Sequence, residues 1–529
     1  MRGGVLIEAR RSGIHGGLLS SDFAVELLGI HRRFGAVHAN DDVTLQVRRG
    51  SVHGIVGENG AGKSTLMSIL YGFYPADEGR IRLDGREVQL GGTHDAIAHG
   101  VGMVHQHFML VDRFTVLENV VLGAEQGMML SSSLARARRE LERLAGEFGL
   151  AVDPDARVRD LPVGVLQRVE ILKALFRGAR ILILDEPTGV LTPQETEALF
   201  RVLASLKARG VTVLLITHKL KEILAVTDRV TVMRGGRVVA DRDTASTSEG
   251  ELAELMVGRK VQLDAAPLAR SRGEVRLEAE GLGWRDPLGR PRLQDVSLQL
   301  HAGEIVGVAG VSGNGQSELL AVLAGLSAPH EGAVRLALEG GRTRAIDARH
   351  PAGPRELRSL GVAHVPEDRH RLGLVLGFAA WESALLGYED EPSVHRGPWL
   401  RRAPAREQCR RMMDEFDVRP RDVSLPCSKF SGGNQQKLIL AREFRRAPRV
   451  LLIGQPTRGV DIGAIEFIHR RIVAMRDAGC AVLLVSTELD EILALADRIV
   501  VMCGGRITGT LAREQTDERQ LGRLMGQAA

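Results

Sequence analysis

The residues best placed to do chemistry stand in GENGAGKST, 57–65, which follows the apolar run SVHGIVG. The stretch has the form GxxxxGK[ST] between a strand and a helix. Gly57, Gly60 and Gly62 let backbone N–H groups wrap phosphate oxygens at a helix N-terminus. Glu58, Asn59 and Ala61 complete the loop. Lys63 is positioned to reach β- and γ-phosphates, and Ser64, followed by Thr65, offers a hydroxyl to Mg2+. A glycine-rich turn without a ligand is the plain alternative. Lysine supplies eight of the 70 basic residues, so a chance match is rare.

A second stretch, ILILDEPT at 181–188, ends four apolar strand residues in two acids. Asp185 suits direct or outer-shell Mg2+ coordination, and Glu186 is placed to polarise an attacking water. Acids follow strands often, and the catalytic reading here comes from the phosphate loop in the same chain. Gln106, in GMVHQHFML, and His218, after VTVLLIT, would complete a γ-phosphate sensor, with Gln106 as a further Mg2+ ligand. The order phosphate loop, Gln, Asp-Glu, His puts every one of them at a strand carboxyl end of a parallel sheet, where ligands gather. His94, His99, His105 and His107 raise a metal reading, but no acidic or Cys partner stands at ligand spacing, and packing around Gln106 is the expectation.

The elements that must position these residues occur twice. VLLITHKLKEIL, 213–224, matches VLLVSTELDEIL, 482–493, at an offset of 269, and GENGAGKST pairs with GVSGNGQSE, 310–318, at an offset of 253. A period near 250 residues is a domain, not a solenoid repeat. The expected organisation is an N-terminal extension 1–23, a first domain 24–258, a linker 259–273 and a second domain 274–529. In each copy short apolar runs (SVHGIVG, ILILD, VTVLLI; EIVGVAG, VLLIG, AVLLVS) alternate with longer amphipathic segments, which predicts an α/β fold with a parallel sheet covered on both faces.

Composition narrows the function. The chain has 529 residues, 44% hydrophobic and 26% charged, with a net charge of +4. That is the balance of an ordinary globular protein. No apolar run reaches the roughly 18 residues a spanning helix needs. The N-terminus breaks into Gly and charge before a signal-peptide core could form, so a cytoplasmic location is expected. Three Trp, three Tyr and 13 Phe, with no long basic block, argue against nucleic acid as a partner. Cys409, Cys427, Cys480 and Cys503 form no CxxC, so no zinc, iron–sulfur or disulfide framework is indicated.

Lys63, Gln106, Asp185, Glu186 and His218, together with FSGGNQQKL at 430–438, resemble the ATP-binding-cassette (ABC) ATPases, here as two fused nucleotide-binding domains over 24–529. The resemblance implies tandem P-loop domains, each with a mainly parallel core, an antiparallel β subdomain and a helical signature subdomain. It implies ATP and Mg2+ as cofactors. It also implies head-to-tail pairing of the two domains, each ATP lying between one domain's P-loop and the other's signature. Ser431, Gly432 and Gly433 then bind a γ-phosphate at a helix N-terminus. Phe34, 23 residues before Gly57, is the candidate for stacking on adenine.

Departures from the family pattern fall on one composite site. The second copy keeps Gly310, Gly313, Gly315 and Ser317, but has Gln316 for the lysine, Gly454-Gln455 for Asp-Glu, Glu367 for the glutamine and Thr487 for the histidine. The first copy's signature is LPVGV, with Pro162 and Val163 in place of Ser and Gly. Pro lacks a hydroxyl and an N–H, and Val keeps its backbone from phosphate. One turnover-competent site is expected, and one degenerate site with no carboxylate for Mg2+. The point matching Phe34 is expected at Pro287, near Trp284.

A motor without spanning helices acts through partners. The resemblance is nearest to importers of simple sugars and nucleosides, with HQHFMLVDRFTVLENV, LPVGVLQRVEILKAL, GVSGNGQSEL and VPEDRHRLGLVLGF pointing to the nucleoside branch. Two membrane permease subunits, and indirectly an extracytoplasmic binding protein, are the expected partners, with the chain peripheral on the cytoplasmic face of the membrane. Phe108, Met109 and Leu110 are candidates for a permease dock. The alternative is a soluble tandem factor acting on ribosomes or DNA. The short linker, the degenerate site and the lack of Cys-rich motifs weigh against it.

Overall fold

A computed structural model describes residues 22–35, 37–105, 108–124, 130–189, 191, 193–260, 272–311, 313–460 and 462–526. They fall into two compact units, one drawn from Met1–Gly189 and Leu199–Met256, the other from Val190–Ala198 and Val257–Ala529.

Strands β1 (Phe23–Phe34), β2 (Val37–Arg48), β3 (Val52–Gly57), β4 (Glu78–Leu83), β5 (Arg86–Val88), β6 (Val101–Val104), β7 (Ile181–Asp185), β8 (Thr212–Ile216), β9 (Arg229–Arg234) and β10 (Arg237–Asp243) build the first unit. Its central sheet runs β10-β9-β3-β8-β7-β6. All neighbours are parallel except β9 and β10. Every residue of β3 and β8 is buried, which is why these runs show no polar alternation. The second sheet, β2-β1-β4-β5, is antiparallel and wet on one face. In β2, Val43, Leu45 and Val47 are buried while Thr44, Gln46 and Arg48 are exposed, the period-2 pattern of a half-buried strand. Helices Val116–Val121, Leu130–Phe148 and Val163–Phe176 form a third, all-helical part. A capping box between Thr115 and Glu118 starts the first of them.

The second unit repeats the plan with β11 (Val275–Arg285), β12 (Pro291–His301), β13 (Ile305–Ala309), β14 (Glu331–Ala337), β15 (Thr343–Asp347), β16 (Val362–Val365), a hairpin of β17 (His395–Arg396) and β18 (Trp399–Leu400), then β19 (Val450–Gly454), β20 (Ala481–Ser486), β21 (Arg498–Cys503) and β22 (Arg506–Ala512). The antiparallel sheet is β12-β11-β14-β15, and the central one is β16-β19-β20-β13-β21-β22. The expected fold class, including the antiparallel and helical parts, is the one observed. In each unit the strand before the glycine-rich loop lies inside the sheet, between strands that come late in the copy, so the loop opens where ligands collect in open α/β sheets. Among the described residues no helix is long and apolar enough to cross a membrane.

Candidate active site

In the first unit the glycine-rich loop leaves β3 and enters the helix Lys63–Leu70. Gly62 has φ +94°, and a Cβ there would lie 2.2 Å from the carbonyl oxygen of Ala39, so no other residue fits without a shift. The buried Asn40 donates to the Gly62 carbonyl at 3.1 Å. Residues of β2 therefore brace the loop from behind, a long-range contact that local spacing did not reveal. Lys63 Nζ donates to the carbonyls of Gly57 at 2.7 Å and Glu58 at 3.1 Å. Burial pulls the Lys63 ammonium below its ordinary pKa, and the charges of Glu186 and Asp185 oppose that shift. Asn59, Gly60 and Ser64 are exposed at the mouth, Glu58 and Thr65 are half-buried, and Ala61 is buried beneath.

Asp185 ends β7, half-buried and hydrogen-bonded to Ser64. Desolvation, then the neighbouring charge of Glu186, raise its pKa, while Lys63 and Ser64 lower it. A hydroxyl and a carboxylate whose charge is poorly compensated form a hard oxygen donor set that fits Mg2+. Glu186 itself has φ +50°, held there by its N–H donating to the Ile216 carbonyl at 2.9 Å. A non-glycine residue in this region costs on the order of 1 kcal/mol. The bend turns the carboxylate so that Oε1 lies 2.9 Å from Nδ1 of His218. Gln106 and His107 lie outside the described residues. His94 and His99 are exposed, and His105 packs against the rings of Phe73 at 5.7 Å and Tyr71 at 6.0 Å.

Phe34 is 41% exposed at the end of β1. It is not alone. The Tyr74 ring stands edge-on to it at 5.4 Å, and the Arg32 guanidinium lies 5.0 Å from the Phe34 centroid, fixed by an ion pair to Asp77 at 2.7 Å. Tyr74 was missed from the sequence because it meets Phe34 only once the chain before β4 folds back on β1, whereas Arg32, two residues before Phe34 on the same strand, was legible at strand spacing and was overlooked.

The second unit copies the scaffold and changes the groups. Gln455 keeps the left-handed bend, φ +48°, with its N–H on the Val485 carbonyl, but its amide oxygen accepts from Thr487 Oγ1 at 3.1 Å. Gln316 Nε2 donates to the Val311 carbonyl at 3.2 Å, a neutral version of the lysine contact. Gly310, Gly313 and Gly315 form the corresponding loop. Two expectations need correction. A carboxylate does remain here, since Glu367 accepts from Ser317 Oγ at 2.5 Å. The residue matching Phe34 is Asp286, one place before Pro287, because the positive-φ pair Gly29 and Asp42 answers Gly281 and Asp295. Asp286 closes a turn by accepting from the N–H groups of Leu288 and Arg290, and Trp284 is stacked on His330 at 6.0 Å, in place of the Arg32–Asp77 ion pair.

The signature segments differ as their residues demand. Ser431 is the N-cap of the helix Gly432–Phe444, and its Oγ accepts from Asn434 Nδ2 at 2.8 Å. Ser431 is exposed, Gly432 half-buried and Gly433 buried. In the first unit Pro162 caps Val163–Phe176 without a side-chain bond, and Val163 is exposed. Lysine, acids and histidine are thus complete in one unit, and the Ser-Gly-Gly helix start in the other.

Loop, acid pair and signature define a P-loop ATPase of the ABC class. The family model of the ABC transporter matches residues 40–189 and 293–458, and the chain belongs to the ATP-binding proteins of that family. It is an ATPase. It is 44% identical to the nucleoside import ATP-binding protein NupA of Lactococcus lactis subsp. cremoris, over 96% of this chain and 99% of the relative. Identity to the guanosine import ATP-binding protein NupO of Bacillus subtilis is 44%, over 95% and 97%. The glucose import ATP-binding protein TsgD13 of Haloferax volcanii is 43% identical, over 93% and 94%.

Proposed function

We propose that this chain is the ATP-hydrolysing subunit of an importer and that one composite site performs the turnover. The observation that carries this reading is the division of intact parts: Lys63, Ser64, Asp185, Glu186 and His218 in one copy, Ser431, Gly432 and Gly433 in the other. In head-to-tail pairing of domains 24–258 and 274–529 these parts meet on a single ATP, with Gln106 as sensor and Phe34, supported by Tyr74, under the base. Lys63 and the loop N–H groups bind the β- and γ-phosphates. Glu186, oriented by His218, takes the proton of the attacking water, and the Ser431 hydroxyl with the helix N–H groups receives charge developing on the γ-phosphoryl. Mg2+, when bound by Ser64 and Asp185, neutralises phosphate charge. The other site, with Gly310, Gly313, Gly315, Gln316, Ser317 and Gln455 facing Pro162 and Val163, has a structural or regulatory role.

The partners in this reading are two membrane permease subunits, fed by an extracytoplasmic binding protein, with the chain peripheral on the cytoplasmic face. The dock is the apolar edge at Phe108, Met109 and Leu110. Met109 is 61% exposed although its carbonyl is fixed by Lys173 Nζ at 2.7 Å, so an apolar side chain is held outward. A nucleoside is the proposed cargo, supported by the nucleoside and guanosine importers among the relatives. Uptake of labelled nucleosides and sugars by a strain lacking this protein tests it. Loss of nucleoside uptake is expected; intact nucleoside uptake with lost sugar uptake overturns the cargo.

A further inference from the structure

VPEDRHRLGLVLGF, 365–378, lies at the end of β16, and its polar residues are arranged around the signature. Asp368 Oδ1 accepts from the N–H groups of His370 and Arg371 at 2.9 and 3.0 Å, closing a turn. His370 Nε2 stands 2.9 Å from Gln435 Oε1 on the signature helix, and Gln435 Nε2 donates to the Cys427 carbonyl at 3.0 Å. The turn directs Arg369 inward. Its Nη1 donates to the Arg458 carbonyl at 2.9 Å, in the loop after Gln455. Its Nη2 lies 2.7 Å from where a Cβ on Gly432 would stand, and the Gly459 carbonyl lies 3.1 Å from the same point. Gly432, Gly459 and the guanidinium are therefore packed face to face, and a side chain on Gly432 would collide with Arg369.

We propose that Arg369 is a positioning residue for ATP hydrolysis: it clamps the signature start at Gly432 to the loop Arg458–Gly459, so that Ser431 is presented in one geometry. The signature it touches is asymmetric between the copies. The guanidinium accompanies the Ser-Gly-Gly signature, where the first copy has Pro162 and Val163 in its own signature. The clamp is also continuous with Glu367, two residues upstream, which holds Ser317 of the second glycine-rich loop. A guanidinium suits this place because it is planar and offers separate donors on two sides. Burial and the nearby charge of Arg458 weaken its hold on its proton, without changing its charge near neutral pH.

The inference rests on the reading that this signature serves ATP turnover, and the test separates the two. Arg369→Gln and Arg369→Lys are compared with Ser431→Ala in the full chain, reading ATP kcat and KM, ADP affinity and Tm. Arg369→Gln is expected to lower kcat roughly tenfold to a hundredfold, as misplacement of a catalytic group does. ADP, which has no γ-phosphate for the signature, should bind within about twofold of wild type, and Tm should move by about 2 °C or less. Arg369→Lys keeps one donor for the Arg458 carbonyl and should recover most of the rate. Unchanged kcat in Arg369→Gln beside a disabled Ser431→Ala overturns the clamp alone. Loss of ADP affinity and Tm in step with kcat also overturns it, leaving a structural role. Full activity in Ser431→Ala overturns the underlying reading.

Discussion

His218 Nδ1 and Glu186 Oε1 lie 2.9 Å apart, and at the same two places in the second copy Thr487 Oγ1 donates to Gln455 Oε1 at 3.1 Å. Both pairs stand on the same distorted backbone, φ +50° at Glu186 and +48° at Gln455. The second copy has kept the strained bend that aims the Glu186 carboxylate at His218 in the first, while replacing that carboxylate by an amide, which cannot serve as a general base. Scaffold and chemistry have separated there, and the consequences are measurable.

In the proposed pairing Ser431 donates to the γ-phosphoryl, so removing its hydroxyl should lower kcat at least about tenfold. Pro162→Ser, which places a hydroxyl beside Val163 at the site proposed to be degenerate, should leave kcat within about twofold. Steady-state hydrolysis by both variants checks the pairing, and the reverse order of effects contradicts it.

Phe34→Ala should weaken ATP binding by roughly tenfold, the scale of one lost base–aromatic stack. Tyr74→Ala should weaken it less, because Tyr74 supports the Phe34 ring edge-on. Titration with a fluorescent ATP analogue reads both; equal Kd values for wild type and Phe34→Ala would place Phe34 outside the base site.

Met109→Glu puts a charge on the proposed dock without touching the phosphate loop. ATP hydrolysis by the isolated chain should stay within about twofold, while uptake in cells falls at least roughly tenfold, since burying an unpaired carboxylate costs several kcal/mol. Unimpaired uptake removes this edge from the dock.

His53, buried in β3 with Nε2 2.8 Å from Thr231 Oγ1, has its pKa lowered to about 4 by desolvation. The fold favours the neutral ring. This contribution is complete above pH 6.5, the unfolded value, and is lost as pH falls from 6.5 toward 4. Between pH 7 and pH 5 it should remove about 2 kcal/mol from the first unit. In urea denaturation at the two pH values, His53→Gln should show a difference smaller by about that amount; an unchanged difference contradicts the assignment.

Much of the site was legible because its chemistry constrains residue types at short spacing. Gly57 to Thr65, Asp185-Glu186 and Ser431 to Gly433 each act within one turn or strand end, so their order along the chain already named their places. The buried runs of β3 and β8 were legible for a related reason, as strands covered on both faces tolerate no polar alternation. Contacts that close across the sheet order were not legible. Asn40 meets Gly62 through β2, Tyr74 meets Phe34 through β4, and Glu367 meets Ser317 from the end of β16. The last of these corrected the second copy: Glu367, read from the sequence only as the replacement for a glutamine, brings a carboxylate to Ser317 where none was expected for Mg2+. Pro287 was misplaced by one residue because the bulges at Gly29 and Gly281, and not the residue count to the glycine loop, set the register.

The central claim, that one composite site performs the turnover, is tested most directly by steady-state ATP hydrolysis of Glu186→Gln together with ATP binding. Loss of a general base predicts a rate reduced by at least about a hundredfold with ATP still bound at near wild-type affinity. A variant that keeps a third or more of the wild-type rate would mean that the site built on Gln316 and Gln455 hydrolyses ATP, and would contradict the account.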